Sequence, residues 1–321
     1  MSRTATYQPG LAWFAALGSA WVFVLVALGA FTTTIGAGMA FPDWPLSNGS
    51  VNPHGWLTHI DKFAEHSHRI SGTMMGLITI VLAVWLHRRE ERAWLRRLGW
   101  WALAIVVFQG VLGGTRVLFD RVAVPGFAMS LGQMLRIPHG VLAQVFVCVL
   151  FAIAAGESRP WVEDRVGLAG ARVRRLGWWT VALLFVQLTV AATMRHNYAG
   201  MAIPTFPWST PEGGLLPAHW DYRVELQFAH RVLAALIGVA VLVYGHFLWR
   251  EKTLPPFLRA CSLLPIALVA LQISLGAQII WTARSVAMTT SHVLVGALTL
   301  AVTFVVVFFT HRASMESALP A

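Results

Sequence analysis

The stretch AGMAFPDWPLS at positions 37–47 returns as AGMAIPTFPWS at positions 199–209, displaced by 162 residues (199 − 37). The same displacement relates His68 to His230, and an arginine follows each of these histidines. Two separate matches at one displacement, with no net insertion between them, are much harder to obtain by chance than either match alone. The chain is therefore predicted to be a tandem duplication.

The repeat extends beyond these two matches. Further pairs are Gly76 with Gly238 at the same displacement, and Gln109 with Gln272 and Gly113 with Gly276 at a displacement of 163 (272 − 109). The similarity thus reaches into the third helix of each copy.

The composition is that of a membrane protein. Hydrophobic residues make up 57% of the chain and charged residues only 12%, against about one quarter charged in soluble domains. Apolar runs of about 20 residues can cross a hydrocarbon layer of about 30 Å. They predict eight transmembrane helices, at 11–36, 65–87, 97–118, 133–155, 174–194, 225–249, 258–281 and 287–310. The first run lacks a clear cleavage site and is expected to be retained as a span.

The expected fold is an all-α membrane protein of two pseudo-symmetric four-helix bundles. Because each copy holds an even number of spans, the copies share one orientation and should be related by an axis along the membrane normal. The predicted domains are 1–155 and 174–321, joined by a basic linker at 156–173. Cys148 and Cys261 lie in or beside apolar runs, so no structural disulfide is expected.

The formal net charge of +10 has a topological explanation. Basic residues crowd the connections after even-numbered spans, which marks these loops and both termini as cytoplasmic. These residues are Arg88, Arg89, Arg92, Arg96 and Arg97, then Arg159, Arg165, Arg172, Arg174 and Arg175, then Arg250, Lys252, Arg259 and Arg312, with Arg3 near the start. The basic loops need no nucleic-acid partner. The expected location is a bacterial cytoplasmic (inner) membrane, crossed several times.

Four histidines fall at the outward ends of even-numbered spans: His68, His139, His230 and His292. Two imidazoles from facing helices at one depth are what a six-coordinate heme iron needs. We expect His68 to pair with His139 and His230 with His292. The displacement from His139 to His292 is only 153 (292 − 139), so a connection must be shorter in the second copy. A lone interfacial histidine would merely bind water, and no half offers the dense ligand set of a zinc site.

Neighbouring residues complete the candidate sites. His66 competes with His68, but residues two apart point about 200° apart on a helix, and position 66 corresponds to Phe228. Arg69 and Arg231 are predicted to pair with heme propionates, or else to reach the interface as snorkelling side chains. Solvation is the expected state of the outer-loop histidines His54, His59, His196 and His219, with substrate contact as the alternative.

The two copies differ at the residue three positions before the first histidine. Glu65 should share a helical face with His68 and point to the same heme, whereas its counterpart is Gln227 (65 + 162). A glutamine cannot act as a general base, so the copies are predicted to divide chemistry from electron transfer. The carboxylate could accept a proton or stabilise a developing cation. The alternative is a helix-start carboxylate that is stabilised by the dipole.

Together these features resemble the heme A synthase family. The resemblance rests on Glu65-His66-Ser67-His68-Arg69, PDWPLSNG at 42–49, MRHNYAGMAIP at 194–204 and the four duplicated histidines, and covers nearly the whole chain. It implies oxidation of the C8 methyl of heme O to a formyl group, through hydroxylated intermediates and with water as the oxygen source. It also implies that Glu65, His68 and His139 form the substrate site, and that His230 and His292 hold a permanent heme b.

Partners follow from the same resemblance: heme O as substrate, a heme O synthase that supplies it, and an unidentified electron acceptor. One departure concerns the first outer loop, where some members carry a cysteine pair but this chain has Phe41 and Ser47 around the motif. Asp43 and Trp44, with counterparts Thr205 and Phe206, are interpreted mainly as loop packing over the heme. The main alternative is a non-catalytic diheme cytochrome b; a transporter would not explain the His-Arg pairs.

Overall fold

The computed structural model describes residues 6–317, so Arg3 of the predicted topology lies outside the described residues. Within that range the chain is helical, with no β-strand. The helices are α1 (Pro9–Thr34), α2 (Ile60–Arg89), α3 (Ala93–Leu118), α4 (Leu131–Glu157), α5 (Arg159–Val162), α6 (Ala171–His196), α7 (Tyr222–Arg250), α8 (Pro256–Ala260), α9 (Leu263–Trp281), α10 (Val286–Thr310) and α11 (Arg312–Ser317).

Eight segments are long and apolar enough to cross a membrane, which confirms the predicted number of spans. They are α1 to α4, α6, α7, α8 with α9, and α10, with mean hydropathies between 1.6 and 2.6. The helices begin and end within a few residues of the predicted limits. The largest difference is at α2, which begins at Ile60 instead of 65 because its polar first turn continues the helix beyond the apolar run.

Local signals fix the starts of two histidine-bearing helices. Ser130 caps α4: its hydroxyl accepts a hydrogen bond from the Gln133 amide, and the Gln133 side chain accepts one from the Ser130 amide. Asp221 caps α7 by accepting from the amides of Arg223 and Val224, each at 2.8 Å. Such caps satisfy amide groups that the helix itself leaves free. They place His139 and His230 well inside the helices.

The spans pack as two closed rings of four. In the first ring α1 contacts α2, α2 contacts α3, α3 contacts α4, and α4 returns to α1. In the second ring α6, α7, α9 and α10 follow one another in the same cyclic order. Between the rings α1 contacts α10, α4 contacts α6, and α4 contacts α10. Since α1 corresponds to α6 and α4 to α10, a two-fold rotation exchanges these contacts.

The tightest packing lies at the end of the rings opposite the four histidines. Met75, Leu82 and Leu86 of α2 are fully buried there, and Tyr244 and Leu248 of α7 are their counterparts in the second ring. Close packing of this kind fixes the helix positions. It leaves the outer end of each ring to polar side chains.

The connection between the rings is packed instead of forming a free tether. Trp161 is fully buried, and its indole donates to Glu316 of α11 at 2.7 Å. Beside it, Arg92 forms an ion pair with Glu90 at 2.8 Å and lies 3.6 Å from Glu157. Burial and the two carboxylates act on Arg92, and the carboxylates prevail, so the pKa of its guanidinium is raised above its ordinary value. The same end thus joins α2, α4, α5 and α11.

The connections at the outer end are unequal in the two rings. The segment 119–130 separates α3 from α4, whereas only 282–285 separates α9 from α10. This shortening matches the smaller displacement between His139 and His292. Both cysteines are free thiols, and Cys148 is buried.

Candidate functional site

The four histidines lie on α2, α4, α7 and α10, and the second pair faces each other directly. The ring centroids of His230 and His292 are 6.3 Å apart, with their planes inclined by 60°. A metal–imidazole bond is about 2 Å and the ring centre lies about 1 Å behind the nitrogen, so two imidazoles on one metal have centres about 6 Å apart. His230 and His292 therefore have a separation at which both imidazoles could hold one metal ion.

Three of the four imidazoles pack against a glycine on the preceding span. A Cβ on Gly29 would lie 2.8 Å from the His68 ring. The corresponding distances are 3.1 Å from Gly113 to the His139 ring and 3.4 Å from Gly276 to the His292 ring. The first two are too short for an ordinary side chain, so glycine makes the room that these rings occupy.

His68, His139 and His230 each have a further contact with the preceding span. His68 Nδ1 lies 3.2 Å from the Leu25 carbonyl oxygen. Gln109 and Gln187 donate their amides to the backbone carbonyls of His139 and His230, each at 3.0 Å. A carbonyl can only accept, so His68 Nδ1 carries the proton and Nε2 keeps a free lone pair. This is the tautomer that binds a metal through Nε2.

In the described part of the chain, all four histidines have a ring nitrogen that lacks a hydrogen-bond partner. Nδ1 of His139, His230 and His292 is buried without a hydrogen-bond partner. Within residues 6–317, Nε2 of all four histidines likewise makes no hydrogen bond, while each ring is partly exposed. Buried polar atoms are nearly always paired in folded proteins. The donor set fits a heme iron at each pair of imidazoles, and for His230 and His292 the spacing fits as well.

The arginines after His68 and His230 hold the two outer loops. Arg69 donates to the carbonyls at 41, 43 and 46, at 3.0, 2.8 and 2.7 Å. Arg231 donates to the carbonyls at 203, 205 and 208, at 3.0, 2.7 and 3.3 Å. Each acceptor is displaced by 162 residues, so the repeat holds contact by contact. The predicted pairing with propionates stays a prediction for these two guanidiniums.

Glu65 and Gln227 occupy equivalent places beneath these loops. Glu65 is 1% exposed; its Oε2 accepts from the Phe41 amide at 3.0 Å, and its Oε1 lies 2.7 Å from Arg69. Gln227 is 3% exposed and accepts from the Ile203 amide at 2.5 Å. Both side chains anchor a loop. What distinguishes the two rings is the charge of Glu65.

The first outer loop covers the outer end of the first ring. Trp44 lies directly on α3 at Gly114, where a Cβ would come within 2.3 Å of the indole. Asp43 accepts from the amides of Asn48 and Gly49, each at 2.7 Å. Slight burial works against ionisation of Asp43, but these hydrogen bonds outweigh it and hold its pKa below the ordinary value.

The side chain of His66, a residue of α2, contacts this loop and not the bundle interior. It is 5% exposed, its Nδ1 lies 3.1 Å from the Ser47 hydroxyl, and its ring meets Trp56 at 4.8 Å. His66 and His68 therefore point in different directions, as the helical spacing indicates.

Several polar residues of the outer end were not singled out in the sequence. Arg116 of α3 donates to the Gly38 carbonyl at 2.7 Å, and Arg136 of α4 lies 2.5 Å from Asp120. Arg195 of α6 crosses to α1 of the other ring. His196, expected in a solvated loop, is the partly buried last residue of α6. The detectable signal was an arginine inside each of two apolar runs, since such charges are costly and usually functional.

Comparison with known proteins adds a family. The family model described as cytochrome oxidase assembly protein matches residues 12–304. A protein of Shouchella clausii (strain KSM-K16) named heme A synthase is 25% identical over 277 residues, which covers 85% of this chain and 87% of that protein. Proteins of the same name from Geobacillus kaustophilus (strain HTA426) and Caulobacter sp. (strain K31) are each 24% identical, covering 89% and 84% of this chain and 86% and 87% of the relatives.

Proposed function

This chain belongs to the cytochrome oxidase assembly protein family, and from that premise we propose that it is a heme A synthase, an oxidoreductase that converts heme O to heme A. The observation that carries the proposal is the duplicated layer of paired histidines, in a family whose curated relatives bear that name. We propose the inner membrane of a bacterium as its location, with a heme O synthase as supplier of the substrate.

The two rings are assigned different roles. His230 and His292 already have the spacing of two axial ligands, which suits a permanent heme b. The first ring carries the residues without charged counterparts in the second, Glu65 above all, which suits a substrate site at His68 and His139. Domains 1–155 and 174–321 would thus bind substrate and cofactor, with 156–173 between them.

When bound, heme O supplies the C8 methyl group, and its oxidation to a formyl group with oxygen from water releases four electrons and four protons. The Leu25 carbonyl orients His68, and Gln109 holds the backbone of α4 at His139. Trp44 and the loop anchored by Arg69 cover the outer end of the ring. Glu65 contributes a fixed negative charge that stabilises positive charge developing nearby.

Analysis of extracted hemes tests this function. The chain is co-expressed with a heme O synthase, and the hemes of the membranes are separated by chromatography and identified by mass. We expect heme A or its hydroxylated precursor. Unchanged heme O beside bound heme b, in membranes where an active homologue makes heme A, would favour the electron-carrier alternative instead.

The glycine contact gives a second test of the substrate site. Gly113→Val should displace the His139 ring, because a side chain at this position would enter space that the imidazole occupies. We expect heme O turnover to fall by at least about tenfold, with heme b retained in the second ring. Gly110→Val is the matched control, since a Cβ at Gly110 meets no atom within 4 Å. Equal activity of the two variants would contradict the proposed role of His139.

A further inference from the structure

Two arginines lie one helical turn outward from the His139 layer. Arg136 precedes His139 by three residues on α4, and Arg116 follows Gly113, the glycine against the His139 ring, by three residues on α3. Residues three apart lie on the same face of a helix. The charges of the two arginines act on one another and on His196 at the end of α6. A cationic cluster therefore borders the first-ring site.

Within the described residues, Arg116 lacks an anionic partner, whereas Arg136 has one in Asp120. The nearby carboxylates are already paired, Glu65 with Arg69 and Asp120 with Arg136. Arg116 has no carboxylate within ion-pair distance among residues 6–317 and donates only to the Gly38 carbonyl. Nε of Arg136 is buried without a hydrogen-bond partner. A largely buried cation without an anion is costly, so Arg116, together with the free Nε of Arg136, is the natural site for a further negative charge.

The second ring has other arginines at its outer end, Arg195 and Arg284, whose charges act on one another, but none at the positions of Arg116 and Arg136. By the displacements of the repeat, Arg116 corresponds to Ile279 (116 + 163) and Arg136 to Thr289 (136 + 153). The histidine layer is duplicated, but the arginines next to it are not. Arg116 and Arg136 are therefore particular to the first ring, and a ligand held there would meet them.

We propose that Arg116 and Arg136 bind the propionate carboxylates of the heme that enters the first ring. The inference rests on the proposed function, since it requires His68 and His139 to hold that heme. Guanidinium groups bind carboxylates through paired, charge-assisted hydrogen bonds. Arg136 offers its free Nε, and Arg116 offers the N–H groups that Gly38 does not use. Arg69 is less available, because the loop and Glu65 already take its terminal N–H groups.

The experiment compares two ligands that differ only in their carboxylates. Ferric heme b and its dimethyl ester are titrated into the purified full-length protein, whose second ring already holds heme, and uptake is followed by Soret absorbance. The wild type should bind the free acid at least about tenfold more tightly than the ester. Arg116→Gln and Arg136→Gln should each weaken binding of the acid by about 10- to 100-fold and change binding of the ester less than about twofold.

Controls separate this inference from the proposed function. Arg121→Gln removes the same charge from an exposed residue of the same outer end and should leave both affinities unchanged. Heme uptake that persists in His139→Ala would overturn the first-ring site itself. Uptake that depends on His139 but is equal for acid and ester, in wild type and arginine variants alike, would overturn the carboxylate contact alone. The spectrum of the resident heme reports whether each variant is folded.

Discussion

Alanine in place of His230 or His292 should remove the tightly bound heme b from the purified protein and abolish heme A formation. The imidazole centroids of His230 and His292 are 6.3 Å apart, and Nε2 of neither residue has a hydrogen-bond partner within residues 6–317. Under the proposed assignment, each substitution deletes a heme ligand for which no other group of the described residues stands nearby. We expect heme affinity to fall by at least about 100-fold, which is more than is lost when a residue that only hydrogen-bonds to a ligand is replaced. Pyridine hemochrome spectra of the purified variants measure it.

The matched control is His246→Ala. His246 lies on α7 with His230 but is exposed, so its loss should leave heme b content unchanged. Each histidine variant should keep the helix content of the wild type, because the buried core lies at the opposite end of the ring. Full heme b in both the His230 and His292 variants would contradict the assignment of the second ring.

The membrane fold was predictable because it depends on the length of each apolar run, which can be read directly from the local sequence. Each of the eight spans needs about 20 apolar residues whatever it packs against, and each of the eight predicted runs matches an observed span to within a few residues. The ends were less predictable. α2 begins five residues early, and α6 continues through His196, because hydropathy does not register helical turns that leave the apolar layer.

The candidate site was predictable where it is duplicated and less so where it is not. Symmetry singled out His68 and His230, and the contacts of Arg69 and Arg231 repeat at the same displacement. Which partner a side chain takes is a tertiary property, so the sequence did not indicate the loop carbonyls that Arg69 contacts, and its predicted pairing with propionates stays a prediction. Arg116 has no charged counterpart in the second ring. Its place within an apolar run indicates that burying its charge is costly, but it does not indicate which group the side chain binds.

Glu65→Gln should stop the conversion of heme O while the first outer loop stays folded and heme remains bound. The second ring shows that a glutamine fits this place, since Gln227 accepts from the Ile203 amide as Glu65 accepts from the Phe41 amide. Its Nε2 donates to the Gly200 carbonyl, whose counterpart in the first ring is Gly38 (38 + 162). The substitution therefore removes a charge and a proton acceptor while it preserves the anchor.

Loss of that carboxylate should lower turnover by about 10² to 10⁴-fold, the usual contribution of a positioned acid or base. The reciprocal variant, Gln227→Glu, places a carboxylate in the ring assigned to electron transfer and should leave turnover unchanged. Heme content measured beside turnover separates a catalytic defect from a lost site. If Glu65→Gln converts heme O at the wild-type rate, Glu65 is a loop anchor only, a role that its bonds to Arg69 and Phe41 would by themselves explain. The chemical difference between the rings would then lie with Arg116 and Arg136, because these also lack charged counterparts in the second copy.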